Sequence, residues 1–261
     1  MFVRGLLAGA AVLTVLAAAG CMNGSQVPLE TGSSTATAAP PNSGSPPRSA
    51  EPSSVPARDS ALDLPLIKAA SEGNLPRVSR LLRKGASVRA TDERGRTPLV
   101  AAAYGNHVKV ARALLRADAD PNEKDVTVQS AYLISTSEVG DDPRLLRVLL
   151  RQGADVSSRD SFNGTGLIRS AERGFPRVTA RLLATDIEID HVNRLGWTAL
   201  HEAIILGDGG SSHADVVQQL VDAGADVNLP SARDGVRPLT HARQRGYERI
   251  ATILSDAGGR P

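Results

Sequence analysis

The sequence predicts an all-α fold, a solenoid of about six helix-turn-helix units preceded by a leader and an unstructured linker. Three observations carry that prediction. Beyond residue 61 the chain repeats itself at a 33-residue period, helix start and stop signals recur at matching places, and aromatic residues make up only 3% of the chain. With 41% hydrophobic residues and so few rings, the core has to be built from Leu, Ala and Val. Such a core suits thin helical layers that bury one another's faces better than a broad sandwich.

In chain order, the leader comes first. MFVRG supplies positive charge through Arg4 and the terminal amine, and Leu6 to Ala19 is an apolar run of 14 residues. That run is short for a bilayer span but right for the core of a signal peptide over residues 1–20. Ala18-Ala19-Gly20 then leads into Cys21, the single cysteine. One thiol makes no intramolecular disulfide and has no partner for a CxxC redox or zinc site. The pattern resembles a bacterial lipobox, with Ala18 standing where leucine is commoner. That resemblance implies that Cys21 carries lipid and becomes the first residue of the mature chain; an ordinary cleaved signal with an incidental cysteine is the alternative. One acyl chain binds a membrane at only about 10⁴ M⁻¹, and a second makes the anchor stable. Met22 rather than aspartate follows Cys21, which by resemblance to Gram-negative lipoproteins favours the outer membrane. The expected location is the cell envelope, with the domain facing the periplasm or exterior.

Residues 21–61 read as a tether. Of the 39 residues from 22 to 60, 27 are Ser, Pro, Thr, Ala or Gly, too little apolar surface to offset the entropy of ordering. Its end-to-end distance should be roughly 30–45 Å.

The repeating region follows. LPLIKAASEGNLPRVSRLLRKGASV from Leu64, GRTPLVAAAYGNHVKVARALLRADADPN from Gly95, GWTALHEAIILG from Gly196 and RPLTHARQRGYERIATILSDAGG from Arg237 are versions of one unit. Anchored on Leu64, Thr97, Ser130, Thr165, Thr198 and Arg237, the steps are 33, 33, 35, 33 and 39 residues, and the units begin near 62, 95, 128, 163, 196 and 235. Thr97, Ser130, Thr165 and Thr198 sit where a hydroxyl can cap the first helix, and Pro98 suits its first turn. Gly73, Gly174, Gly207 and Gly246 mark its end, where a left-handed residue is favoured, and Asn106 tolerates the same conformation. Val139 does not, so the third unit, with its insertion around Gly140-Asp141-Asp142, should be the irregular one. Leu81, Leu114, Leu149, Leu182, Leu220 and Leu254 share one position of the second helix and should form a continuous internal stack.

These units resemble ankyrin repeats, with a TPLHxAxxxG first helix and a VVxxLLxxGADxN second helix, over Leu62 to Gly258. The resemblance implies a concave face made by first helices and a binding role for another protein through that face and the loop tips. Carried over by position, the concave face includes Lys68, Tyr104, Glu138, Arg169, Arg173, Glu202, Ile205, His241 and Arg245. Loop residues Asp92, Lys124, Asp125, Arg159, Asp160, Asn193 and Arg194 would line one edge. Trp197 either joins Tyr104 as an apolar anchor or packs within its own repeat, and the insertion DGGSS at 208–212 is either a contact loop or a tolerated surface insertion.

No enzyme, metal or cofactor is expected. His201-Glu202 begins like HExxH, but Ile205 stands where the second histidine must be, and His201 reads instead as a local partner of Thr198. The run from Asp118 opens like a calcium loop yet has Glu123 and Gln129 where glycine and glutamate are required. Net charge of +2 makes no case for nucleic acid. Arg77, Arg80 and Arg83, then Lys109, Arg112 and Arg116, then Arg144, Arg147 and Arg151, then Arg177 and Arg181 fall on one face of successive second helices. They form either a solvated surface or a seat for anionic lipid or an acidic partner. The expected protein is a monomeric, membrane-anchored binding module; the alternatives are an immunity lipoprotein that neutralises a secreted toxin and, remotely, an enzyme without a recognisable motif.

Overall fold

The computed structural model describes residues 60–261. The signal peptide, Cys21 and the tether up to residue 59 lie outside the described residues. Helical structure begins with a 3₁₀ turn at Ser60–Leu62, two residues before the first unit was expected to start.

Among the described residues there are twelve α-helices in six antiparallel pairs, and no strand. The pairs are α1 (Asp63–Ser71) with α2 (Leu75–Arg83), α3 (Pro98–Tyr104) with α4 (Val108–Leu115), α5 (Ala131–Ser137) with α6 (Arg144–Arg151), α7 (Gly166–Glu172) with α8 (Pro176–Leu183), α9 (Ala199–Ile205) with α10 (Ser211–Asp222), and α11 (Pro238–Gln244) with α12 (Glu248–Asp256). The odd-numbered helices stack on one another in one layer, and the even-numbered helices form a second layer behind them. The six repeated leucines lie between the layers; five are fully buried and Leu81 is 9% exposed.

Local chemistry explains where each first helix begins. The hydroxyls of Thr97, Ser130, Thr165 and Thr198 accept hydrogen bonds from the N–H groups of Val100, Leu133, Ile168 and His201 at 3.2, 3.2, 3.4 and 3.4 Å. Each satisfies one of the N–H groups that a helix leaves unpaired at its start. His201 completes a capping box, its Nδ1 lying 2.9 Å from the Thr198 hydroxyl. Pro98 and Pro238 occupy the first turns of α3 and α11.

Helix ends follow the expected rule with one correction. Gly73, Asn106, Gly174 and Gly246 are left-handed, and in the irregular third unit that conformation has moved past Val139 to Gly140. Gly207 is not left-handed. Its glycine is required by close approach instead: a Cβ there would lie 2.0 Å from the Ala203 carbonyl oxygen, and the left-handed residue is Gly209. The 208–212 insertion is absorbed by structure. Its two serines begin α10, which at 12 residues is longer than the other second helices, and Gly209 lies against the Tyr247 ring.

Neighbouring units are also tied by side chains. Near the start of the second helices, His107 reaches the Ser71 carbonyl at 3.0 Å, His213 the Glu172 carbonyl at 3.1 Å and Tyr247 the Gly207 carbonyl at 2.8 Å, each in the preceding unit. After them, Asn122 accepts from Asp155 N–H at 2.8 Å and donates to the Gly153 carbonyl at 3.1 Å; Asn228 does the same with Arg260 and Gly258. The second-helix layer has one weak place, where α6 and α8 touch less than their counterparts and leave a cleft of about 440 Å³ lined by Leu150, Asp155, Val156 and Arg181.

Candidate binding face

Four of the five loops between units end in a tight hairpin folded by one side chain; in the fifth, Ser231 and Asp234 share that role. Asp92 Oδ1 accepts from the N–H groups of Arg94 and Arg96 at 2.9 and 3.0 Å, Asp125 Oδ1 from Thr127 and Gln129 at 2.9 and 3.1 Å, and Asp160 Oδ1 from Phe162 and Gly164 at 2.8 and 2.8 Å. Asn193 Oδ1 does the same for Leu195 and Trp197 at 2.9 and 3.1 Å. These oxygens close the turns that Asx residues favour. Asp125, Asp160 and Asn193 are consequently buried rather than lining an outer edge, and Asp92 is partly covered. The other loop residues singled out by sequence remain at the surface. Lys124 donates to the Arg159 carbonyl at 2.8 Å, Arg159 lies 3.8 Å from Glu188, and Arg194 donates to the Ser161 carbonyl at 2.7 Å.

The first-helix face brings the expected residues of units three to five together. Arg169 is the hub: it meets Glu172 at 2.6 Å, Asp160 at 3.4 Å and Glu138 at 3.9 Å, while Arg173 lies 3.7 Å from Glu138. Tyr104 is 40% exposed and its hydroxyl donates to Asp125 at 3.1 Å. Lys68 and Arg245, on the outer units, are exposed and stand apart from this cluster; Lys68 lies 4.0 Å from Glu72. His241 is partly buried, 3.7 Å from Asp234 and edge-on to His201 with ring centroids 6.3 Å apart.

Glu202 departs from the expectation of a surface residue. It is 3% exposed; its Oε1 accepts from Asn193 Nδ2 at 2.6 Å and its Oε2 has no hydrogen-bond partner. Burial, with the nearby Glu172 carboxylate, pushes its carboxyl up to about 7. On the residue immediately before it, burial and the His241 ring push His201 down to about 4. Above Glu202 lies a pocket of about 120 Å³ walled by Asp160, Arg169, Glu172 and Asn193, with Phe162, Ile168, Leu195 and Leu206 as its apolar part.

Three exposed apolar residues on or beside this face were missed by sequence reasoning: Phe162 at 57%, Leu206 at 50% and Val126 at 68%. Phe162 had a usable signal, because a ring inside the turn sequence DSFNG cannot reach the core. Leu206 stands one residue beyond Ile205, which is half-buried, so the helix register places the exposed apolar contact at the neighbour. Trp197 is 8% exposed with the Arg233 guanidinium 5.5 Å from its ring centroid, so it packs inside the repeat.

On the opposite face the basic residues of the second helices point outward. Lys109, Arg112, Arg144, Arg147 and Arg151 line a groove of about 460 Å³ between α4 and α6. Arg144 is held by Asp142 at 2.7 Å, which draws that carboxyl down to about 2.

A family model described as ankyrin repeats (3 copies) matches residues 55–125 and 133–231. The chain is 37% identical over 193 residues to the ankyrin repeat protein YahD of Escherichia coli (strain K12), covering 74% of this chain and 94% of that protein. It is 30% identical over 178 residues to Ankyrin repeat and SOCS box protein 3 of Bos taurus, covering 67% of this chain and 33% of that longer protein. Among solved structures, an ankyrin repeat domain from Acinetobacter baumannii AYE is 40% identical with a TM-score of 0.70, over 75% of this chain and 98% of that one.

Proposed function

The chain belongs to the ankyrin repeat family, and on that premise we propose that it is a protein-binding module displayed on a membrane-anchored lipoprotein of a bacterial cell envelope. The observation that carries the binding role is the first-helix face of units two to five. There, exposed apolar groups (Tyr104, Phe162, Leu206) sit among charges of both signs (Glu138, Arg169, Arg173) on a layer of stacked helices. An aromatic or aliphatic anchor inside a polar rim is the arrangement that concentrates binding energy at protein interfaces. Support for the anchor comes from the sequence alone, through the apolar leader and Cys21, with the 21–61 segment giving the domain reach from the membrane.

The test is a crosslinking pull-down from the native envelope with the full chain as bait, alongside a variant carrying Tyr104→Ala, Phe162→Ser, Arg173→Glu and Leu206→Ser. A stoichiometric partner captured by the parent and lost by the variant supports the reading; equal capture by both sinks the assignment of the face. Cys21→Ser should move the protein from the membrane to the soluble fraction, and unchanged fractionation would remove the lipid anchor.

A further inference from the structure

We propose that the pocket over Glu202 is a receptor for one lysine side chain presented by the partner protein. This rests on the binding role above and names the chemistry that the face recognises.

The pocket has an excess of carboxyl groups. Asp160, Glu172 and Glu202 face a single cation, Arg169, whose guanidinium is already engaged by Glu172 at 2.6 Å and Asp160 at 3.4 Å. Asp160 Oδ1 is spent on two backbone N–H groups, and Glu202 Oε1 on Asn193. Glu202 Oε2 is the buried acceptor left over in this pocket, on a side chain that is 3% exposed. A buried polar atom without a partner is costly and calls for a donor. The remaining walls say what should carry that donor: Phe162, Leu195 and Leu206 give an apolar flank along which methylenes can lie. An ammonium is a compact point charge that one oxygen can receive, whereas a guanidinium needs two parallel acceptors that this pocket does not leave free.

Occupation by a cation favours the ionised form of Glu202, so binding should tighten as pH rises through the window that ends at about 7. The charged groups that face Glu202 are Glu172 and Arg169 from α7 and Asp160 from the hairpin before it. His201, on the same helix as Glu202, is displaced downward.

The experiment is an NMR titration of the isotope-labelled full chain with Nα-acetyl-lysine methylamide, and in parallel with its norleucine and arginine counterparts. Saturable shifts are expected at the amides of Phe162, Asn193, Glu202 and Leu206, with a Kd on the order of 1 mM. Norleucine should bind about tenfold more weakly, and Glu202→Gln, nearly isosteric and expected to fold, should lower lysine affinity about tenfold and abolish its rise between pH 5.5 and 8. No saturable shift, equal binding of the arginine or norleucine compound, or undiminished binding to Glu202→Gln would each overturn the proposal. Because the probe is a single residue, its result is independent of whether the pull-down yields a partner.

Discussion

The two faces of this solenoid are built by the same helical pairs, yet they treat charge in opposite ways. On the first-helix face one set of polar and ionic groups is drawn inward: Asp125, Asp160, Asn193, His201 and Glu202 are all buried, and all but one of them close a hairpin or cap a helix. On the second-helix face Lys109, Arg112, Arg147 and Arg151 point outward and form no ion pair among the described residues. Turn geometry dictates the first set and nothing in the backbone dictates the second. Glu202 is the exception within the first set, since it closes no turn and caps no helix.

The leucine layer between the faces is the reference for what a structural residue contributes. Leu149→Ala or Leu182→Ala, each removing a fully buried side chain, should lower stability by about 2–5 kcal/mol in urea denaturation. A loss below about 0.5 kcal/mol at both would mean that the layer does not pack as one stack.

Glu202 and His201 should show the next largest effects, and with opposite signs. A carboxyl raised to about 7 from 4.5 leaves the folded chain holding more protons than the unfolded chain, so stability falls as pH rises through that window. An imidazole lowered to about 4 from 6.5 leaves the folded chain holding fewer, so stability falls as pH drops through its window. At about 1.4 kcal/mol per pH unit, each amounts to roughly 3 kcal/mol at the far end, and in the parent the two slopes oppose each other. Glu202→Gln should therefore be more stable than the parent at pH 8 by up to about 3 kcal/mol and acquire a steep loss toward pH 4. His201→Gln, which preserves a capping side chain, should acquire the reverse slope. Parallel pH profiles for parent and both variants, from denaturant melts at intervals between pH 4 and 8, would refute the assignment.

How much of this was legible in advance depends on whether a residue acts within its own unit. The caps at Thr97, Ser130, Thr165 and Thr198, the left-handed Asn106 and the leucine stack are local or periodic, and the repeat spacing located all of them. Gly207 was placed correctly but for the wrong reason, because its steric constraint comes from the Ala203 carbonyl and not from its own backbone angles. The ties of His107, His213 and Tyr247 span 36, 41 and 40 residues, and no motif within one unit announces them. The same applies to the pocket. Asp160 and Asn193 were singled out as surface loop residues, and only the fold shows that their oxygens turn inward and bring Glu202, Arg169 and Glu172 together.

One hairpin breaks the rule that its neighbours obey. Gly95, Asn163 and Gly196 stand at the left-handed position three residues after the folding Asx residue; in the third unit that position is Val128, with φ of 63°. A β-branched side chain in that conformation costs about 1–3 kcal/mol. Val128→Gly should raise stability by about 1 kcal/mol, the relief being partly offset by the greater freedom of glycine in the unfolded chain. Val128→Asn, which copies the neighbouring hairpin at Asn163, should do at least as well. A drop in the melting midpoint for both would show that Val128 is held by contacts that outweigh its strain.

The outward-facing cations should give the smallest change. Arg112→Gln and Arg147→Gln remove side chains that are exposed, form no ion pair among the described residues and share the α4–α6 groove with Lys109, Arg144 and Arg151. Surface substitutions of this kind stay within about 0.5 kcal/mol. The sign should be stabilising, because each removes repulsion and breaks no pair. Salt sharpens the point. Raising ionic strength from about 0.01 M to 1 M shortens the screening length from ~30 to ~3 Å, so added salt should stabilise the parent more than either variant. Should both variants instead lose more than about 1 kcal/mol, the basic face would be structural after all. The contrast between faces would then lie in geometry alone.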